Sequence, residues 1–321
     1  LAAAGLATLP GGWVAGRAWD RPVADGRVEG RWVAGRPAAR PLRVVTTTTD
    51  LAAIAREVGG PRVEVKAIAA GTQDPHFVEP KPSLILDLRR ADVFAQVGLG
   101  LESGWAPVLL DQARNARIRP GGPGHIDASE AASVLDIPAG RVTRAEGDIH
   151  PFGNPHYWLG PENGKRIAAL FARKFSELDP AGAREYAARL ADFTRRLDVA
   201  VAGWRSALAP FEGAPVVAYH NSWKYFLLFA GLEVVGYVEP KPGIPPSAGY
   251  LAELIQRMRQ ARARVVIVDP FYDLRVPRLV AERAGAKLLV LPSSVGGAPG
   301  VDSYIELLDH NVRSLTGALR S

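Results

Sequence analysis

The chain has 321 residues, enough for two domains of ordinary size, and 47% of them are hydrophobic, as in a globular protein. Its formal charge is +6, of which +3 comes from Arg17, Arg21, Arg27, Arg31, Arg36 and Arg40 against Asp20, Asp25 and Glu29; the remainder is near neutrality, so no nucleic acid partner is implied. The absence of cysteine excludes disulfides, thiolate metal sites and a lipid-bearing cysteine among these residues, and no apolar run reaches the ~18 residues that span a bilayer.

Residues 1–9 resemble the end of a signal-peptide apolar core, or else an Ala-rich disordered terminus. The Gly/Arg/Ala/Pro-rich stretch that follows repeats Trp-Val-Ala-Gly-Arg at 13–17 and 32–36 but offers few apolar side chains to bury, so residues 1–41 read as a signal-peptide remnant or disordered segment. The β-branched run 42–49 predicts a strand, and Asp50 a cap on a helix over 51–58. A strand at 63–69, a Pro-rich loop carrying His76, a helix from Pro82 to about 90 and a strand at 92–97 follow. Strand and helix alternate, which predicts a parallel sheet covered by helices. Gly98-Leu99-Gly100 lacks the third glycine of a nucleotide loop, since Ser103 stands there. A helix at 106–115, a Gly/Pro loop to His125 and a short strand or turn complete this half.

A helix over 161–175 precedes Asp179-Pro180, an expected N-cap with a proline at the first helical position. Beyond it Tyr186, Leu190, Phe193, Leu197, Val201, Trp204 and Leu208 recur every three or four residues, the apolar stripe of one long helix ending before Pro210. Alternation then resumes, with strands at 215–219, 233–238, 264–269 and 287–291 and helices at 223–230, 250–261 and 276–284. Tyr237-Val-Glu-Pro-Lys-Pro242 echoes Phe77-Val-Glu-Pro-Lys-Pro82, as if two lobes were built alike. Asp302 is expected to cap a last helix over 303–319. The expected organisation is an N-terminal α/β lobe at 42–179, a linking helix at 180–210 and a C-terminal α/β lobe at 211–321, with parallel, Rossmann-like sheets and a ligand site in the cleft between them.

In open α/β sheets ligands gather beyond the carboxyl ends of strands. His76 and His220 are placed at such ends. His156 lies in Gly147-Asp148-Ile149-His150-Pro151-Phe152-Gly153-Asn154-Pro155-His156, where the prolines keep the residues before them out of the helical region. With Asp302 after the last strand these supply three imidazoles and a carboxylate, a zinc ligand set. Each also has a plainer reading: a loop or core histidine, and for Asp302 a helix cap. His150 is either an accessory capture residue or surface; His125 and His310 have no comparable setting.

Pro75-His76-Phe77-Val78-Glu79-Pro80-Lys81-Pro82-Ser83, Asn154-Pro155-His156-Tyr157-Trp158-Leu159-Gly160-Pro161, His220-Asn221-Ser222-Trp223-Lys224-Tyr225-Phe226 and Asp302-Ser303-Tyr304-Ile305 together resemble the ligand-bearing motifs of the zinc/manganese-binding receptors of bacterial ABC importers, in order and spacing, over about residues 42–320. The resemblance implies two lobes joined by one helix, a metal held by His76, His156, His220 and Asp302 with His150 as accessory, and an exported, periplasmic or extracytoplasmic location. It implies a monomer that hands Zn(II) to a membrane permease with its ATPase, with a periplasmic metallochaperone as a further partner. The His/Asp/Glu-rich loop of many zinc members is reduced here to residues 147–150. Mn(II) is the second cargo to consider, and a receptor selective for it has the same fold. A metal-dependent hydrolase and a receptor for an organic solute are the other readings. No His-Glu-x-x-His helix favours the hydrolase, and Glu79 and Glu239 lie in Pro-rich segments and read as structural.

Overall fold

Among the described residues, eight parallel strands form two sheets with the same strand order. The computed structural model describes residues 40–139, 150–241 and 243–320. β1 (Leu42–Thr46), β2 (Val63–Ala67), β3 (Val93–Gln96) and β4 (His125–Asp127) pair in the order β2-β1-β3-β4. β5 (Pro215–Ala218), β6 (Glu233–Tyr237), β7 (Val265–Val268) and β8 (Lys287–Val290) pair as β6-β5-β7-β8. The repeated order is the structural counterpart of the sequence echo. The expectation for residues 1–41 falls, up to residue 39, outside the described residues, as does Gly147-Asp148-Ile149.

The strands alternate between two cores, as a period of two requires. Val44 of β1, Val216 and Ala218 of β5, and Val265 and Ile267 of β7 face one large core shared by both lobes. Val45 turns instead to the outer core of the first lobe, and Val217 and Val266 to that of the second. Both faces of each sheet are therefore covered, which explains the short, continuously apolar strands.

The first lobe carries α1 (Thr49–Gly59), α2 (Pro82–Arg90), α3 (Ala106–Ala113) and α4 (Pro161–Leu178). The linking helix α5 (Ala183–Leu208) has 26 residues, about 39 Å at 1.5 Å per residue. Tyr186, Phe193, Leu197, Trp204 and Leu208 of its predicted stripe are buried, and Leu190 and Val201 pack partly buried against the same core. The second lobe adds α6 (Lys224–Phe229), α7 (Ala248–Ala261), α8 (Arg275–Ala284) and α9 (Tyr304–Arg320). α9 turns back onto the linking helix: Tyr304 lies 6.3 Å from the Phe193 ring, and Trp204 Nε1 donates to Asp309 Oδ1 at 3.1 Å. Its apolar face joins the shared core. Among the described residues no helix is long and apolar enough to cross a membrane.

Three expected caps are not caps. Thr48, not Asp50, accepts from the Leu51 N–H at the start of α1, while Asp50 is buried with its Oδ1 accepting from the Val295 N–H. Asp179 is drawn to Arg62 Nη1 (2.8 Å) and the Tyr186 hydroxyl (2.9 Å), and a 3-10 turn, Pro180–Gly182, opens onto α5. Ser303 Oγ accepts from the Glu306 N–H before α9, and Glu306 in turn accepts from the Asp302 N–H. In each case a partner distant in sequence, or an adjacent hydroxyl, offers the better hydrogen bond. The loop after β3 is not built for phosphate. Glu102 itself accepts from the Val97 (2.7 Å) and Gly98 (3.0 Å) N–H groups and from the Thr47 hydroxyl.

Phe193 and Trp204 anchor α5 in the shared core, and neither is more than 4% exposed. Replacing either by Ala should cost ~3–5 kcal/mol. The check is a chemical-denaturation midpoint, and an unshifted midpoint would show that the helix does not depend on this packing.

Candidate metal centre

His76, His156 and His220 each place a ring nitrogen within 4.8 Å of the other two. They come from three places in the chain. His220 follows β5 at its carboxyl end, His76 lies in the loop between β2 and α2, and His156 immediately precedes the turn before α4. His156 and His220 are buried and His76 is half-buried. The rings stand 5.2 Å (76–156), 5.8 Å (76–220) and 5.5 Å (156–220) apart.

The same local device orients two of them. Asp74-Pro75-His76 and Asn154-Pro155-His156 share an Asx-Pro-His pattern. In both, the Asx Oδ1 accepts from the backbone N–H of the histidine two residues on, at 3.0 Å. That oxygen also accepts from the histidine's Nδ1, at 2.6 Å for His76 and 3.0 Å for His156. An Asx turn thus fixes the backbone and the tautomer together. His220 reaches the same state by another route, its Nδ1 donating to Glu239 Oε2 at 3.0 Å. With Nδ1 protonated and committed on all three rings, Nε2 carries the lone pair on each. Supporting partners of this kind orient metal-binding imidazoles and raise their basicity. Glu239 therefore has a function that sequence reasoning took for a structural one. The paired Asx-Pro-His spacing is the signal that finds Asp74 and Asn154.

The electrostatics suit a divalent cation. Burial, reinforced by His76, His220 and His150 nearby, holds His156 neutral well below the ordinary histidine range. Burial and then His76 and His220 likewise push His150 down to about 3. Burial raises Asp74, but hydrogen bonding and charge from His76 outweigh it and hold this carboxyl below its usual range. A ligating imidazole brings no charge of its own, and Asp74 and Glu239 place carboxylates behind the His76 and His220 rings. Beside the cluster a cavity of about 250 Å³ is lined by Asp136, His150, Asn154, His156, His220 and Glu239, among others.

The structure does not bring every expected residue here. Asp302 is exposed, one residue before the cap of α9, and is not part of the cluster. Its motif is local to the helix start, where Ser303 and Glu306 form the hydrogen bonds. His150 does reach the site: its Nε2 lies 3.1 Å from His76 Nε2, with the two rings stacked at 5.2 Å. It is not within the mutual 4.8 Å of the other three. His125 begins β4 and His310 lies on α9, both apart from the cluster.

The model of a family described as "Zinc-uptake complex component A periplasmic" matches residues 44–318. The manganese ABC transporter substrate-binding lipoprotein PsaA of Streptococcus pneumoniae is 25% identical over 87% of this chain and 89% of its own length. The high-affinity zinc uptake system protein ZnuA of Brucella abortus is 26% identical over 51% of this chain and 49% of its own. Among solved structures, a zinc-bound ZnuA deletion mutant superposes with a TM-score of 0.72 at 23% identity, covering 87% of this chain and 98% of that one.

Proposed function

The chain belongs to the periplasmic zinc-uptake component A family, a family of metal-binding substrate-binding proteins of ABC importers, and from its site we propose that its cargo is Zn(II), held by His76, His156 and His220. The observation that carries this reading is the triad itself: three imidazoles within 4.8 Å, each with an oxygen on Nδ1. Imidazole is a borderline donor that zinc accepts readily, whereas Mn(II) lies lowest in the divalent affinity order and suits oxygen-rich sites. Here the nearby carboxylates Asp74 and Glu239 are committed to the rings and not turned to the cation. The names of the relatives divide between manganese and zinc, so the donor set is the argument for zinc.

The cargo passes to a membrane permease with its ATPase, the partners of substrate-binding proteins in such importers. We assign the capture step to an extracytoplasmic monomer. Two competing readings fare worse. The cavity, at about 250 Å³, falls below the roughly 300–1,000 Å³ typical of sites for organic ligands. A carboxylate general base, where a hydrolase uses one, must be free to reach the attacking water, and among the described residues the two carboxylates hydrogen-bonded to the triad are engaged with its Nδ1 atoms.

The test is a competition titration of metal-free protein with Zn(II) and Mn(II) at neutral pH, with metal content measured by elemental analysis. One Zn(II) per chain, bound much more tightly than Mn(II), is expected. Equal or preferred Mn(II) binding would overturn the zinc assignment.

A further inference from the structure

We propose that Tyr225 and Tyr304, both on second-lobe helices, are positioning residues that aim His156, a ligand the chain supplies from the first lobe. This rests on the triad being the cargo site. His156 lies between β4 and α4, so by connection it belongs to the first lobe. The hydrogen bonds around it run largely to the second. The Tyr225 hydroxyl, on α6, donates to the Asn154 carbonyl at 2.8 Å. The Tyr304 hydroxyl, at the start of α9, donates to the Trp158 carbonyl at 2.6 Å. These carbonyls stand two residues before and two residues after His156. The side chains at the same two positions repeat the pattern. Asn154 Nδ2 donates to the Asn221 carbonyl and Trp158 Nε1 to the Ser293 carbonyl, each at 2.8 Å. Asn221 precedes α6 and Ser293 follows β8, so these partners also lie in the second lobe.

The path from each hydroxyl to the ring is short. The Tyr225 hydroxyl is fully used: it accepts from the Leu135 N–H at 2.8 Å while it donates to Asn154. Asn154 Oδ1 then accepts from both the N–H and the Nδ1 of His156, at 3.0 Å each. Tyr304 is fully buried, and Gly164 of α4 leaves its hydroxyl room, since a Cβ there would run into it. The first lobe keeps a hold of its own through the Tyr157 hydroxyl, which donates to the Val97 carbonyl at 2.6 Å. His156 is thus aligned only where both lobes meet. The His76 loop is held within its own lobe, by Trp105 Nε1 donating to the Pro75 carbonyl at 3.1 Å. Two of the three rings are therefore aimed by the second lobe and one by the first.

The experiment measures zinc affinity of the full chain against a competing chelator in Tyr225→Phe, Tyr304→Phe and Tyr186→Phe. Each variant loses one hydroxyl from a buried ring, and that of Tyr186 meets Asp179 before α5, outside the centre. Tyr225→Phe and Tyr304→Phe should each weaken zinc on the order of 10-fold, the lower end of what loss of a supporting partner costs. Each should also shift the visible absorption of Co(II), used as a probe of ligand geometry. Tyr186→Phe should do neither. In an Asn154→Ala background, Tyr225→Phe should cost only on the order of 2-fold more, because the link through which it acts is already cut. A hydroxyl that merely supports the fold would lower the urea midpoint of the metal-free protein and leave both metal readouts in place. The two tyrosines test the proposal independently. Wild-type zinc affinity in either folded variant, or losses in Tyr225→Phe and Asn154→Ala that simply multiply, would overturn it. Full zinc affinity in His156→Ala would instead bring down the cargo-site reading on which it rests.

Discussion

Zinc affinity of the His156→Ala protein is expected to fall by at least on the order of 100-fold. Structural zinc sites bind with about 10–16 kcal/mol, so each of three or four ligands carries roughly 2.5–5 kcal/mol. His156 should lie at or above that share. It is 3% exposed, and its ring stands between those of His76 (5.2 Å) and His220 (5.5 Å). A water that replaces it enters a buried position. Asn154→Ala removes the oxygen that orients the ring, together with the Nδ2 hydrogen bond to the Asn221 carbonyl, and should cost on the order of 10- to 100-fold. Asp302→Ala should cost less than His156→Ala, because its side chain is exposed and outside the preformed cluster. Isothermal titration against a competing chelator separates the three. Near-wild-type affinity in His156→Ala, or a loss in Asp302→Ala that equals it, would mean that the ligands are misassigned.

The parts of this centre legible in the sequence were those written in local pattern. Histidines at strand ends and in proline-stiffened loops can be picked out because an α/β sheet gathers its loops at one edge. Strand and helix alternation, and the stripe from Tyr186 to Leu208, gave the layers for the same reason: their periods are local. The roles of single polar residues were harder to read, because they depend on contacts across the chain. Asp50 and Asp302 stand where helix caps are expected. The first is taken by the Val295 N–H, 245 positions away, and the second is outdone by the hydroxyl beside it. Glu239 sits in a Pro-rich segment matching that of Glu79, yet only Glu239 meets a histidine, and Glu79 is exposed. Nothing in six similar residues separates the two. The return of α9 to the linking helix is another such case, since amphipathic periodicity shows that a face is buried but not what covers it.

The last expectation concerns Asp50, which ties the two lobes together. The segment after β8 is held from several sides. Asn311 Nδ2 donates to the Pro292 carbonyl, Trp158 Nε1 donates to the Ser293 carbonyl, and the Ser293 side chain meets the buried Asp269 of the second lobe. Asp50, on α1 of the first lobe, accepts from the Val295 N–H at 3.0 Å, while its Oδ2 is buried without a partner. Complete burial raises this carboxyl to about 7, against weaker opposing hydrogen bonds from Val295 and Ser294. A carboxyl raised in the folded state holds its proton better there than in the unfolded chain. Its contribution is therefore fully present below about pH 4 and is lost as pH rises through about 7, a change on the order of 4 kcal/mol. Asp50→Asn cannot ionise, so its stability relative to wild type should rise by about that amount between pH 4 and pH 8. Any fixed cost of the amide that replaces Oδ2 shifts the whole difference without tilting it. Glu102, also raised to about 7 by burial, acts in the same direction in both proteins and cancels. Urea midpoints of the metal-free pair across that range provide the measurement. Parallel curves would show that Asp50 ionises in the fold as readily as in the unfolded chain, and that the lobes are joined at this point by a charged carboxylate.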